Sequence, residues 1–166
     1  MRFEHLIEIN SPSVAAPVAA VSRFSREQLW NGLMLRLRTP QDFPLGPERC
    51  DWQETSPGRF ARELRFGAHV MNDEVEAVPL QRLQFTPRAH GDTTPVRLTV
   101  SIEEPQPGQL VLRFVYESLG EPSPEEAFYN EYRHNAWLHN DRDMVRTLRQ
   151  WLEEGRLDVR PEGPTH

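Results

Sequence analysis

A histidine and an aspartate four residues apart on a helix can meet, and His139 and Asp143 have that spacing. An aspartate beside an imidazole fixes the ring tautomer and stabilises its charged form, which is how a general acid/base pair is built. Tyr132 and Ala136 precede them at three- or four-residue steps, with Asn140 as the alternative to His139, so these side chains can share one helix face. If that face points inward, polar groups enter an apolar space; a solvent-facing pair or an internally satisfied histidine is the competing reading. His5 stands in register with Phe3, Ile7 and Ile9, and Tyr116 with Leu110, Leu112 and Phe114. Each offers a hydrogen bond to a ligand carbonyl or hydroxyl from an apolar wall, or completes a hydrogen-bond network of the core. Arg62 alternates with Phe60, Leu64 and Phe66, so its inward placement requires a carboxylate or an anionic ligand to offset burial, unless the stem lies along a rim. Glu63 then faces the other side of the same strand. The candidate ligand-binding set is therefore His5, Arg62, Tyr116, Tyr132 and His139, with His139 and Asp143 as the candidate catalytic pair.

Composition removes other chemistries. All 19 cationic residues are arginine, which leaves no lysine for a Schiff base or a lysine general base. The six histidines form no HExxH motif, and the single cysteine, Cys50, permits neither an internal disulfide nor a thiolate cluster. Cys50 reads as a small buried apolar group in a reducing compartment. GxSxG and GxGxxG are absent, so no metal or cofactor is expected. A formal charge of -6 argues against a nucleic-acid partner, because phosphate backbones are bound by concentrated basic fields. Glu4, His5 and Glu8 interrupt the N-terminal apolar run, and no later stretch has the roughly 20 apolar residues a membrane span requires. The expected location is the cytoplasm, without membrane insertion.

The elements that must position these residues follow from periodicity. Arg2 to Asn10 alternates as a half-buried strand. Ser11 to Val21, with prolines at 12 and 17, reads as a connection. Ser25 and Gln28 form a capping box, with a staple between Phe24 and Leu29, for a helix reaching about Arg38 before Pro40. A meander follows, with strands expected at 48–55, 59–66, 69–78, 81–87, 95–103 and 109–118. Ser123, Pro124 and Glu126 start a helix expected to run unbroken to Glu154, about 46 Å at 1.5 Å per residue, with Gly155 beyond its end. Gly32 and Gly67 are each read as a packing or a turn position. Trp137 and Trp151 are expected in the core; their emergence together at the surface would point instead to a homodimer. With 166 residues, the chain fits one domain over 1–157 and a fraying tail over 158–166.

The segments MRFEHLIEIN, SREQLWNGL, RELRFG, SIEEPQPGQLVLRFVYE and NAWLHNDRDMVRTLRQWLEEG together resemble the AtaL-like family of the START/Bet v 1-like superfamily, from Arg2 to Leu157. The resemblance implies an α+β helix-grip fold, in which a curved seven-stranded antiparallel sheet wraps a long C-terminal helix. It also implies a cavity, since many superfamily members hold lipids, polyketides or hormones and some act as aromatases or cyclases. It carries no set of functional residues. Three functions follow as expectations: binding of a small apolar or amphipathic molecule, a cyclase- or aromatase-like enzyme using the same cavity, or a protein-interaction domain.

Overall fold

The computed structural model describes residues 1–12 and 22–158. Most of the expected connection and the tail beyond Asp158 lie outside the described residues. Seven strands, β1 (Arg2–Asn10), β2 (Arg49–Ser56), β3 (Arg59–Phe66), β4 (His69–Val78), β5 (Arg82–Pro87), β6 (Val96–Glu103) and β7 (Leu110–Ser118), form one antiparallel sheet in the order β1-β7-β6-β5-β4-β3-β2. β2 to β7 are a simple meander, and β1 returns beside β7, so the N-terminal strand lies far along the sheet from β2. Alternation dictates which side faces inward: Val75, Leu83, Val100, Leu112 and Phe114 are buried at 2% exposure or less. Each such side chain contributes roughly 1.5–3 kcal/mol through its removal from water.

Helix α1 (Arg26–Arg38) starts at the expected capping box, where the Ser25 hydroxyl accepts from the Gln28 amide and the Gln28 side chain accepts from the Ser25 amide. Phe24 and Leu29, on either side of this cap, both enter the core. A single 3-10 turn, Pro40–Asp42, ends the segment. Gly32 is a packing position: a β-carbon there would lie 2.7 Å from Leu148 Cδ2, so α1 crosses closely over the C-terminal helix. Gly67 has φ of 61° and serves the turn between β3 and β4.

The C-terminal helix departs from the sequence expectation. It is two helices, α2 (Pro124–Phe128) and α3 (Asn130–Glu153), separated at Tyr129 with φ -96° and ψ 8°. The Tyr129 amide bonds back to Glu126 at 3.1 Å, a tightened last turn for α2. Two different anchorages explain the break. α2 is tied by Glu126 to the amide and hydroxyl of Thr94, each at 2.9 Å, whereas α3 is held by packing under the sheet. The 24 residues of α3 still span about 36 Å, and the curved sheet wraps it as a helix-grip α+β fold. Among the described residues no helix is long and apolar enough to cross a membrane.

Of the two readings of the His139 and Asp143 face, the structure has the solvent-facing one. Asp141, Met144, Val145, Leu148, Trp151 and Leu152 are buried, while Tyr132 is 75% exposed and His139 is exposed. Trp151 is in the core, and half-buried Trp137 packs against it, so the tryptophans do not form a surface patch. Among the described residues the exposed aromatics are Phe128, Tyr129 and Tyr132, around the break, and Trp52 and Phe66 on β2 and β3.

Candidate functional site

Asp141 is the polar centre of the interior. It is completely buried, and its Oδ2 is approached by the Tyr116 hydroxyl at 2.7 Å and by His5 Nε2 at 2.8 Å. β1 and β7 are paired so that Tyr116 lies opposite Phe3 and Phe114 opposite His5, which puts both polar side chains on the inner face over α3. His5 stacks on Phe114 with ring centroids 4.8 Å apart, and Tyr116 stacks on Trp137 at 4.2 Å. Burial first, and then the charge of Asp141, push the Tyr116 phenol well above its ordinary value, with Arg36 opposing the rise. Tyr116 thus keeps its proton and donates a hydrogen bond to Asp141. Asp141 Oδ1 and His5 Nδ1 are buried without hydrogen-bond partners among the described residues.

Arg36, in the last turn of α1, is the nearby cation. Its Nη2 lies 3.7 Å from Asp141 Oδ1, beyond hydrogen-bond distance, and its buried Nη1 has no hydrogen-bond partner among the described residues. The guanidinium carbon sits 5.9 Å from the centre of the Phe85 ring. Arg62 is different. Its Nε and Nη2 donate to the two oxygens of Asp73 at 2.8 and 2.6 Å, and its Nη1 donates to the Leu37 carbonyl at 2.9 Å. Arg62 and Asp73 face each other across β3 and β4, so the compensating carboxylate that an inward Arg62 requires comes from the chain itself.

Beneath the sheet lies a cavity of about 240 Å³. Its sheet wall includes Leu64, Phe85 and Leu98, its helix wall Met144 and Asn140, and its rim the loop from Phe43 to Pro47. Arg36, Arg62 and Asp73 also line it. The rim loop is strained: Leu45, 83% exposed, has φ of 62°, and a β-carbon at Gly46 would lie 2.0 Å from the Pro40 carbonyl oxygen. A second cavity of about 360 Å³ shares Met71, Pro87 and Val96 with the first and is bounded by His69, His90, Arg133 and Trp137. The space suits a small, mostly apolar molecule. Among the described residues, no group of three or more His, Cys, Asp or Glu side chains is arranged to hold a metal ion.

The structure therefore brings His5 and Tyr116 together, around an aspartate that the sequence reading did not select. It places Arg62 inward but saturated, and leaves Tyr132 and His139 outside. Asp143 pairs with Arg146 on the helix surface. The signal that identifies Asp141 is present in the sequence: it lies seven residues before the core residue Leu148 and four after Trp137, a carboxylate on an apolar stripe. Arg36 carries no comparable mark, because an arginine in the last turn of a helix is also the ordinary complement of the helix dipole.

The sequence pattern of the family described as Acetylaranotin biosynthesis cluster protein L, AtaL, matches residues 7–155. No curated protein matches the chain. Among solved structures, the di-domain ARO/CYC StfQ from the steffimycin biosynthetic pathway is similar at 15% identity and TM-score 0.61, over 95% of this chain and 52% of that one. The di-domain ARO/CYC BexL from the BE-7585A pathway is similar at 14% identity and TM-score 0.59, over 97% and 51%. Protein MLL2253 from Mesorhizobium loti is similar at 20% identity and TM-score 0.54, over 92% and 98%. The chain thus spans about half the length of the two di-domain proteins. At these identities the likenesses show a shared fold.

Proposed function

The chain belongs to the AtaL family, and from that premise we propose that it binds one small, predominantly apolar molecule in the cavity between the sheet and α3. The observation that carries this reading is the cavity wall itself. Leu64, Phe85, Leu98 and Met144 give it an apolar body, while few polar side chains interrupt it, the composition expected of a small-molecule site. The buried trio of His5, Tyr116 and Asp141 does not line either cavity and ties the middle of α3 to β1 and β7.

A second reading, a polyketide cyclase or aromatase using the same cavity, is favoured by the likeness to StfQ and BexL. In that reading the cavity folds a flexible chain into a reactive shape, and donors on its wall polarise a carbonyl. Native mass spectrometry of the protein purified from its own host, followed by extraction, tests both. A recurrent molecule bound one to one supports binding; its conversion to a cyclised product on incubation supports catalysis. An apo mass under conditions that preserve weak complexes, with no uptake of added apolar probes, refutes both.

A further inference from the structure

The cavity is lined by two arginines in different states, and the difference points to the polar end of the ligand. Arg62 keeps 6% side-chain exposure and spends its guanidinium on Asp73 and the Leu37 carbonyl. Arg36 keeps 17%, has a buried Nη1 without a hydrogen-bond partner among the described residues, meets Asp141 at 3.7 Å, and acts on the Tyr116 phenol. Asp141 in turn is engaged at its other oxygen by His5 and Tyr116. Asn140, the residue before Asp141, lines the same cavity from α3, is half-buried, and makes no hydrogen bond among the described residues. The cavity's one carboxylate, Asp73, is occupied at both oxygens. What remains for a ligand is therefore dominated by N–H donors, from a guanidinium and an amide on adjoining elements.

Resting on the binding reading above, we infer that Arg36 and Asn140 form a subsite for a planar pair of anionic oxygens, the chemistry of a carboxylate or of an enolised 1,3-dicarbonyl, at one end of an otherwise apolar ligand. A guanidinium matches such a pair with two parallel N–H bonds, and Asn140 adds an amide donor. The rest of the ligand lies against Phe85, Leu98 and Met144, which offer no polar atom of their side chains except a thioether. The subsite disfavours ligands whose polar end only donates, because Arg36 has no acceptor and the Asn140 amide oxygen is the one acceptor of the pair.

The test is calorimetric titration at neutral pH with two probes of one shape, 2-naphthoate and the neutral 2-naphthylmethanol. The wild-type protein is expected to bind the carboxylate about tenfold or more tightly than the alcohol, the preference of a charge-assisted over a neutral hydrogen bond. Arg36→Gln is expected to abolish that preference while alcohol binding persists. Asn140→Leu, on a half-exposed position of α3, is expected to reduce it about threefold and supplies the comparison if Arg36→Gln does not fold. Equal wild-type affinities, or a preference that survives both substitutions, overturn the subsite and leave the binding reading standing. Failure of the wild type to bind either probe at millimolar concentration overturns the two together.

Discussion

A buried carboxylate must be compensated, and Asp141 is compensated mainly at one oxygen, by the Tyr116 hydroxyl and His5 Nε2. Tyr116 is therefore coupled to stability in a way that pH reveals. Its folded-state phenol titrates above the ordinary value of 10.0, because burial and the neighbouring Asp141 charge both oppose ionisation. Below that pH both folded and unfolded chains hold the proton, and the contribution of the bond is complete. Above it the unfolded chain releases the proton while the folded chain keeps it, so stability falls as pH rises, by up to about 1.4 kcal/mol per pH unit. Tyr116→Phe removes both the bond and the titration. The variant is expected to be less stable by about 1–3 kcal/mol at pH 8, with the gap narrowing by about 1 kcal/mol between pH 9 and 11. Urea denaturation of both proteins across that range measures it, and a gap independent of pH would show that the phenol is not held by its surroundings.

The strands were legible because alternation reports burial directly: all six meander strands appear within two residues of the ranges expected from the sequence, and β3 and β4 coincide with them. The helices were legible in existence and start, since the capping boxes at Ser25 and Ser123 are local chemistry. Two features were not local. The break at Tyr129 has no glycine or proline to announce it and arises from the docking of α2 on Thr94. The inward face of α3 is legible only in part: the sequence leaves His139 and Asp143 open between inward and solvent-facing placement, and counting back from Trp151 and Leu148 leads to Met144 and Asp141. The α2 docking makes its own prediction. Bonds from the Thr94 amide, the Ser123 amide and the Thr94 hydroxyl, in that order, lower the Glu126 carboxyl to about 2 from 4.5. A depressed carboxyl stabilises above the unfolded value and ceases to as pH falls through the folded one, so α2 is expected to release between about pH 4.5 and 2. The protection factors of the Thr94 and Ser123 amides, taken relative to intrinsic exchange at each pH, are expected to fall over that window in the wild type. In Glu126→Ala they are expected to be low already at neutral pH, with α3 amides unaffected in both. Unchanged Thr94 protection in the variant would mean that α2 is held by something else.

At the scale of the molecule, the grip is a shell whose stability and occupancy are linked. A ligand that binds only the folded state stabilises it by RT ln(1 + [L]/Kd), about 2.7 kcal/mol at a hundredfold excess over Kd. For a chain of 166 residues each kcal/mol raises the melting temperature by about 2–4 °C, so a saturating ligand is expected to raise it by about 5–10 °C. Val96 tells whether that gain comes from the interior. It is half-buried at the start of β6 and lines both cavities, so a larger side chain there has empty space to enter rather than a packed core to displace. Val96→Phe is expected to fold with a melting temperature equal to or above the wild type's, because the added ring covers apolar surface of the cavity wall. The same substitution removes volume the ligand needs, and the ligand-induced rise is expected to shrink by half or more in a thermal unfolding series. Were Val96→Phe to keep both a native melting temperature and the full rise, the ligand would have to bind elsewhere on the protein. The outer face of the sheet and the exposed aromatics near Tyr129 would then be the surfaces to probe next.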